Sequence, residues 1–128
     1  VRCVKGTGDV DQKSMRELSS EHMDLSSRAR QKKLKPDEIK GGTFTISSLG
    51  GIGGTGFSPI VNPPEVAIMG VSKSDWKQVY DKATGEFQPR FIMPFSLSYD
   101  HRVIDGASAA AFTSRFASAL CDLSYFKN

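Results

Sequence analysis

The pattern of apolar and polar positions begins with a helix signal. In "SMRELSSEHMDLSSRARQKK" (14–33) apolar positions recur at spacings of three and four, which predicts one stripe of an amphipathic helix. His22 lies on this stripe, so we expect a packed or half-buried histidine. Pro36 should end the helix, because proline excludes its predecessor from the helical region. The stripe consists of Met15, Leu18, His22, Leu25 and Ala29.

The middle of the chain carries strand signals. "GGTFTISS" (41–48) is rich in β-branched and aromatic residues, and the apolar run "EVAIMGVSK" from Glu65 is typical of a strand buried on both faces. "DWKQVYD" and "EFQPRFIMPFSLSY" predict two further strands, joined by a turn at "KATG". Pro89 and Pro94 indicate an edge or a bulge along the second of these, because proline removes a ladder hydrogen bond.

After Asp105 and Gly106 the pattern becomes helical again. "ASAAAFTSRFASALCDL" contains strong helix formers, with an apolar face through Ala109, Phe112, Phe116 and Leu120. The sum is an α+β chain with a helix, about four strands and a closing helix. At 128 residues and 14.0 kDa it is one domain or part of one.

Charge and cysteine usage narrow the function classes. The net charge of +3 concentrates in "RARQKKLK" (28–35), but no aromatic residue interleaves with these cations, as single-strand binding favours. Cations near a helix C-terminus explain the run as well, so we rank nucleic acid last and expect no such partner. No apolar run approaches a membrane span, and no signal pattern opens the chain, so no membrane partner is expected. Cys3 and Cys121 have no zinc or C-x-x-C spacing and indicate a reducing compartment.

A glycine motif follows the first predicted strand. Gly51, Gly53 and Gly56 spell G-x-G-x-x-G, and Asp75 lies at about the distance of a ribose contact. A dinucleotide site needs a helix N-terminus directly after the glycines, and the prolines of "FSPIVNPP" exclude that helix. We therefore predict a close-packed or mobile glycine loop and no dinucleotide site.

The candidate chemistry lies in "SLSYDHRVIDGASAAAF" (96–112). His101, one of two histidines, follows Asp100 where the strand pattern gives way to a helix. Asp105 is well suited to cap the helix beginning at Gly106. No second histidine or cysteine pair is near in sequence, so we predict no metal site. By pattern alone, H-x-x-x-D is common by chance and His101 is a surface loop residue.

Three blocks, in order, resemble one enzyme family. "GGTFTISSLGGIGG", "FSPIVNPPEVAIMGVSK" and "SLSYDHRVIDG" look like blocks of the dihydrolipoamide acyltransferases, the E2 components of 2-oxo-acid dehydrogenase complexes. Their variants are most similar to the bacterial acetyltransferases of the pyruvate dehydrogenase complex. The family's catalytic domain is considerably longer, so residues 1–128 resemble the C-terminal part of this core-forming domain. The resemblance implies an α+β fold with a chloramphenicol acetyltransferase-like mixed sheet and flanking helices, truncated at the N-terminus.

The resemblance also implies a reaction. Family members transfer an acyl group, here an acetyl group, between dihydrolipoamide and coenzyme A by direct general-base catalysis. His101 would deprotonate the attacking thiol, Ser47 would donate to the oxyanion, and Asp105 would organise the corner. Coenzyme A or acetyl-CoA would be a substrate, and the lipoyl group would be carried on a separate domain. The resemblance assigns no residue to coenzyme A binding.

The implied partners begin with the chain itself, as a trimer with its active site between subunits, built into a larger cubic core. The lipoyl domains, and E1 and E3 through domains absent here, are further partners. The implied location is the cytoplasm of a bacterium, or the mitochondrial matrix of a eukaryote. Two alternatives stay open: a non-catalytic core or scaffold fragment, and a CoA-dependent acyltransferase with another small-molecule acceptor. Asp100 stands where antibiotic acetyltransferases commonly carry a second histidine, which favours the lipoyl acceptor.

Overall fold

The computed structural model describes residues 8–126, which fall into two compact units. The first unit is drawn from residues up to Thr45 and from His101 onward, and the second is Ile46–Asp100. The order of helix, strands and helix confirms the predicted α+β class. The principal elements are α1 (Met15–Arg30), β1 (Thr45–Ser48), β2 (Ala67–Val71), β3 (Asp75–Asp81), β4 (Glu86–Ile92), β5 (Phe95–Tyr99) and α2 (Gly106–Cys121).

A capping box starts α1. The Ser14 hydroxyl accepts a hydrogen bond from the Glu17 backbone N–H, and the Glu17 carboxylate accepts one from the Ser14 N–H at 2.8 Å. Two otherwise unpaired backbone donors are satisfied in this way. On the predicted stripe Leu25 is buried, whereas His22 is exposed. The expectation of a packed histidine at position 22 is therefore wrong for this chain, whose described residues leave that part of the stripe uncovered.

The end of α1 also differs from the prediction. The helix ends at Arg30, well before Pro36. Lys32 adopts a left-handed φ of 58°, and the Lys33 N–H donates to the Arg28 carbonyl at 2.9 Å, which closes the helix by local backbone bonding. Pro36 instead begins a short 3-10 helix, where its missing N–H costs little.

The core of the second unit lies along β2. This strand is central in a three-stranded sheet of order β1-β2-β5, and it pairs antiparallel with β5 from Ala67 opposite Tyr99 to Val71 opposite Phe95. Ala67 through Gly70 are all buried, and Met69 is only 2% exposed. The predicted strand with two buried faces is confirmed.

The remaining two strands form a separate antiparallel hairpin. β3 and β4 pair from Asp75 opposite Ile92 to Asp81 opposite Glu86. The prediction of one strand over 86–99 is wrong, because the chain changes sheet at Pro94 between β4 and β5. Pro89 lies within β4, and both strands of a two-stranded sheet are edges, so the edge prediction for Pro89 holds.

Candidate active site

The candidate site is built at the start of α2. The chain leaves β5 at Tyr99, and the Asp100 N–H donates to the Val66 carbonyl at 2.8 Å, which extends the pairing of β5 with β2 by one residue. A turn follows at residues 101–103, and helical geometry starts at Gly106. His101 is therefore held directly after a strand that is anchored in the sheet.

Asp105 is the N-cap of α2, as its residue type predicts. Its backbone is extended (φ −86°, ψ 167°), and its Oδ1 accepts a hydrogen bond from the Ser108 backbone N–H at 2.7 Å. Hydrogen bonding from Ser108 holds the pKa of the Asp105 carboxyl below its ordinary value, and the charge of nearby His101 lowers it further. At neutral pH the corner thus presents an ionised carboxylate close to the imidazole.

His101 itself is exposed in this chain, in agreement with a position on a surface turn. Its exposure leaves the imidazole accessible to a reactant. The structure brings His101 and Asp105 together in the first unit, while Ser47 belongs to the second.

The two serines of β1 have different surroundings. Thr45 is buried and Ser47, on the same face of the strand, is half-buried, whereas Ser48 is exposed on the other face. The Ser48 hydroxyl accepts a long 3.4 Å hydrogen bond from the Gly50 N–H. Among the described residues no hydrogen bond engages the Ser47 hydroxyl, which leaves it available as a donor.

Aromatic packing supports α2. The rings of Phe44 and Phe112 lie 5.9 Å apart between centroids, and Phe116 stacks on Phe112 at 6.5 Å. Ala109 is the buried position of the helix, while Phe112 stays 44% exposed. The predicted apolar face exists, but within this chain it is only partly covered.

The glycine loop is open rather than close-packed, because a Cβ added at Gly51, Gly53, Gly54 or Gly56 would meet no heavy atom within 4 Å. No helix occurs between β1 and β2, and Asp75 begins β3, so the geometry of a dinucleotide site is missing from this described stretch. Gly53 and Gly54 have φ values of 130° and 90°, which side chains rarely tolerate.

Sequence reasoning missed the close packing at Gly70. A Cβ there would lie 2.8 Å from Ser96 Oγ and 2.9 Å from Phe57 Cζ. The Ser96 hydroxyl donates to the Phe57 carbonyl and fastens the segment after the glycine loop onto β2 and β5. No sequence signal marked this glycine, because its neighbours are distant in the chain.

Other candidate sites gain no support within residues 8–126. Arg28, in the basic run, is engaged by Asp24 and Glu38 at 2.7 Å each. Cys121 is a free, exposed thiol, while Cys3 lies outside the described residues. Over this range, His, Cys, Asp and Glu side chains form no group of three suited to a metal ion. Likewise, neither described helix is long and apolar enough to cross a membrane.

Known proteins resemble nearly the whole chain. Residues 6–125 match the family model of the 2-oxoacid dehydrogenases acyltransferase (catalytic domain). The dihydrolipoyllysine-residue acetyltransferase component of the pyruvate dehydrogenase complex from Pseudomonas aeruginosa is 58% identical over 115 residues, which are 90% of this chain and 21% of that protein. The component from Azotobacter vinelandii is 56% identical, over 90% of this chain and 18% of that protein. The chain thus spans about a fifth of these relatives.

Solved structures agree with the fold. A structure of Azotobacter vinelandii dihydrolipoamide acetyltransferase, from a study of a serine, a histidine and an asparagine in its catalytic mechanism, matches with a TM-score of 0.88 and 56% identity. The match covers 92% of this chain and 48% of the solved chain. The cubic core of the pyruvate dehydrogenase multienzyme complex matches with the same TM-score and coverage, at 55% identity. These neighbours confirm the predicted chloramphenicol acetyltransferase-like fold class. The chain belongs to the 2-oxoacid dehydrogenase acyltransferase family, and the match lies in the family's catalytic domain.

Proposed function

We propose that this chain is the C-terminal part of an E2 catalytic domain that transfers an acetyl group between dihydrolipoamide and coenzyme A. The observation that carries the proposal is the corner at α2, where an exposed His101 lies beside the ionised N-cap Asp105. A base that is accessible to a thiol and held next to a fixed negative charge is what thiol deprotonation requires.

In the proposed reaction one thiol is consumed and another is released, and the proton that His101 takes up is returned. The His101 imidazole takes the proton of one thiol, and the resulting thiolate attacks the carbonyl carbon of the other partner's thioester. The tetrahedral intermediate then expels the second sulfur as a thiolate, which recovers the proton from the imidazolium. An ordinary thiol titrates about two pH units above an ordinary imidazole, so the first transfer costs about 3 kcal/mol. This cost is small enough for catalysis without a metal.

Ser47 is the proposed donor to the oxyanion of that intermediate. Ser47 is half-buried on the same face of β1 as Thr45, and no partner among the described residues engages its hydroxyl. Removing one such donor typically raises the barrier by about 3 kcal/mol. Ser48, on the opposite face, already accepts a bond from Gly50 and is the natural control.

Asp105 is the proposed positioning residue. In the Azotobacter vinelandii enzyme the histidine and the asparagine named for the mechanism are four positions apart, as are His101 and Asp105. Aspartate and asparagine cap helices about equally well, so either can hold the corner. The serine and histidine of that enzyme are two positions closer together than Ser47 and His101, a difference that a surface loop between them can absorb.

The surroundings of the reaction are part of the same proposal. Coenzyme A and a lipoyl group carried on a separate domain are the proposed reactants, and E1 and E3 are further proposed partners. The proposed assembly is a trimer built into a cubic core, in the cytoplasm if the source is a bacterium. The support is the similarity to a solved cubic core, which covers 48% of that structure's chain.

The test is acetyl transfer from acetyl-CoA to free dihydrolipoamide. His101→Ala should abolish turnover, whereas His22→Ala, at an exposed position of α1, should leave it unchanged. Ser47→Ala should lower kcat about 100-fold and Ser48→Ala only slightly. Equal activity of the wild type and His101→Ala would refute the assigned base.

A second candidate is a non-catalytic scaffold of the same core. The observation that favours it is that His101 and Asp105 belong to the first unit, whereas Ser47 belongs to the second. An inactive wild type that still assembles would support the scaffold and reject catalysis by this chain.

A further inference from the structure

The glycine loop spans residues 50–56 and begins three positions after Ser47, the proposed oxyanion donor. Five of its seven residues are glycines, and a Cβ added at four of them would meet no heavy atom within 4 Å. Packing therefore does not hold the middle of the loop. Glycine also loses more conformational freedom on ordering than any other residue. The shape of this loop must be fixed at its two ends.

The first end of the loop is held by the sheet. The Leu49 N–H donates to the Val71 carbonyl at 2.9 Å, and the Leu49 carbonyl accepts from the N–H groups of Ile52 and Gly53 at 2.9 and 3.1 Å. β1 has only four residues and lies at the edge of its sheet. The end of so short an edge strand opens easily, because few backbone bonds hold it. The placement of Ser47 thus depends on what holds the turn that follows it.

The second end of the loop is held by Ser96. The Ser96 hydroxyl donates to the carbonyl of Phe57, the first residue after the loop. Ser96 lies in β5 directly opposite Gly70 in β2, and a Cβ added at Gly70 would lie 2.9 Å from Phe57 Cζ and 3.1 Å from Pro59 Cδ. The segment that Ser96 holds therefore sits directly on β2, in space that only a glycine leaves open. All of these contacts lie within the second unit.

The hydroxyl of Ser96 contributes a bond rather than volume. Residues 57–62 have no regular secondary structure, so the backbone ladder of the sheet does not fix the end of the loop. The bond from Ser96 to Phe57 joins positions 39 residues apart and is half-buried, which protects it from competition by water. An alanine at position 96 would keep the strand but remove this attachment.

We propose that Ser96 is a positioning residue for acetyl transfer. Its bond to Phe57 closes the glycine loop between two fixed points, and the closed loop keeps the end of β1 in place, with the Ser47 hydroxyl aimed at the developing oxyanion. A preorganised donor loses its effect when it is displaced, and a misplacement of about 1 Å can cost about 100-fold in rate. This inference rests on the proposed function, because the role of Ser47 belongs to it.

The first measurement is the steady-state rate of acetyl transfer from acetyl-CoA to dihydrolipoamide. Ser96→Ala should lower kcat about ten-fold and leave both KM values within about two-fold, because the donor acts in the transition state. Ser96→Thr keeps the hydroxyl and should retain most of the rate. Ser98→Ala is the matched control: Ser98 is half-buried on the same face of β5, and its hydroxyl makes no hydrogen bond among the described residues. The control should leave kcat unchanged.

A double variant separates positioning from a general loss of structure. If Ser96 acts through Ser47, adding Ser96→Ala to Ser47→Ala should slow the enzyme by less than about two-fold, because the donor is already gone. Independent effects would multiply, so a further ten-fold decrease in that background would overturn the proposal. An unchanged kcat in the single variant Ser96→Ala would overturn it as well.

Amide hydrogen exchange tests the attachment without reference to activity. In Ser96→Ala the amides of Leu49, Ile52 and Gly53 should exchange at least about ten-fold faster, whereas those of the β3–β4 hairpin should keep their wild-type rates. Unchanged exchange at the three loop amides would overturn the proposal even in an active enzyme. An inactive wild type whose loop amides respond to Ser96→Ala would reject the proposed function and support the attachment of the loop by Ser96.

Discussion

Gly70→Ala should be among the most damaging single-methyl additions in the second unit. Gly70 lies in β2 directly opposite Ser96 in β5. The added Cβ would lie 2.8 Å from Ser96 Oγ, 2.9 Å from Phe57 Cζ and 3.1 Å from Pro59 Cδ. Real Cβ atoms essentially never approach other heavy atoms within 3.0 Å, so the segment containing Phe57 and Pro59 must move away from the sheet.

The magnitude follows from two costs. Overpacking a filled core typically costs about 1–3 kcal/mol. Moving Phe57 also breaks the hydrogen bond between its carbonyl and the Ser96 hydroxyl, at about 1 kcal/mol. The free energy of unfolding should therefore fall by about 2–4 kcal/mol, a large share of the roughly 5–15 kcal/mol of an ordinary domain.

Urea unfolding followed by circular dichroism measures this change, and Gly56→Ala is the matched control. An added Cβ at Gly56 has no atom within 4 Å and its φ is not left-handed, so its unfolding free energy should change by less than about 1 kcal/mol. Combining Gly70→Ala with Ser96→Ala removes the nearest clashing atom, so the double variant should lose less than the sum of the two single changes. Equal stability of Gly70→Ala and Gly56→Ala would refute the packing argument.

Three further predictions concern caps, backbone conformation and pH. Ser14→Ala should destabilise α1 by about 1 kcal/mol in urea unfolding, whereas Ser20→Ala, at an exposed position within the same helix, should be neutral or slightly stabilising. Gly54→Ala should cost about 1–2 kcal/mol through its φ of 90° alone, and Gly54→Asn, which tolerates the left-handed region better, should cost less. The pKa of Asp105 is lowered on folding, so its contribution to stability is complete above the ordinary value of 3.8 and disappears as the pH falls through the folded pKa. The thermal midpoint of Asp105→Asn should therefore depend less on pH in the acid range, and an unchanged pH dependence would contradict this assignment.

Local chemistry explains which parts of the fold could be predicted from the sequence. The cap at Asp105 and the double burial of β2 follow from residue type and from an apolar run, both confined to a few neighbouring positions. The turn after β3 was predictable for the same reason, because "KATG" supplies Gly85 with a left-handed φ of 73°.

The errors have a common cause in non-local contacts. Pro94 indicates an edge or a bulge within a single strand, but whether the chain continues in one strand or changes sheet depends on which strand lies alongside. Pro36 was expected to stop α1, yet backbone bonds around Lys32 close the helix earlier. The tight fit at Gly70 depends on Phe57 and Ser96, whose proximity no spacing rule indicates.

For the candidate site, the sequence pattern predicts where a residue lies in the fold but not what that residue does. The residue type of Asp105 and the start of the helical pattern at Gly106 correctly located the N-cap of α2. The role of His101 is implied only by the resemblance to the family. The sequence pattern around an exposed histidine on a turn is the same whether the histidine is a catalytic base or has no catalytic role. Chemistry of this kind depends on what lies opposite the side chain, and the sequence around the side chain does not encode it.

Several faces with regularly spaced apolar positions are exposed to solvent in the described structure. His22 on α1, Phe112 on α2 and Phe87 on the hairpin all lie on faces with the regular period of a buried surface, yet all three are exposed. A regular apolar face is costly to expose, so its persistence indicates contacts made by other polypeptide.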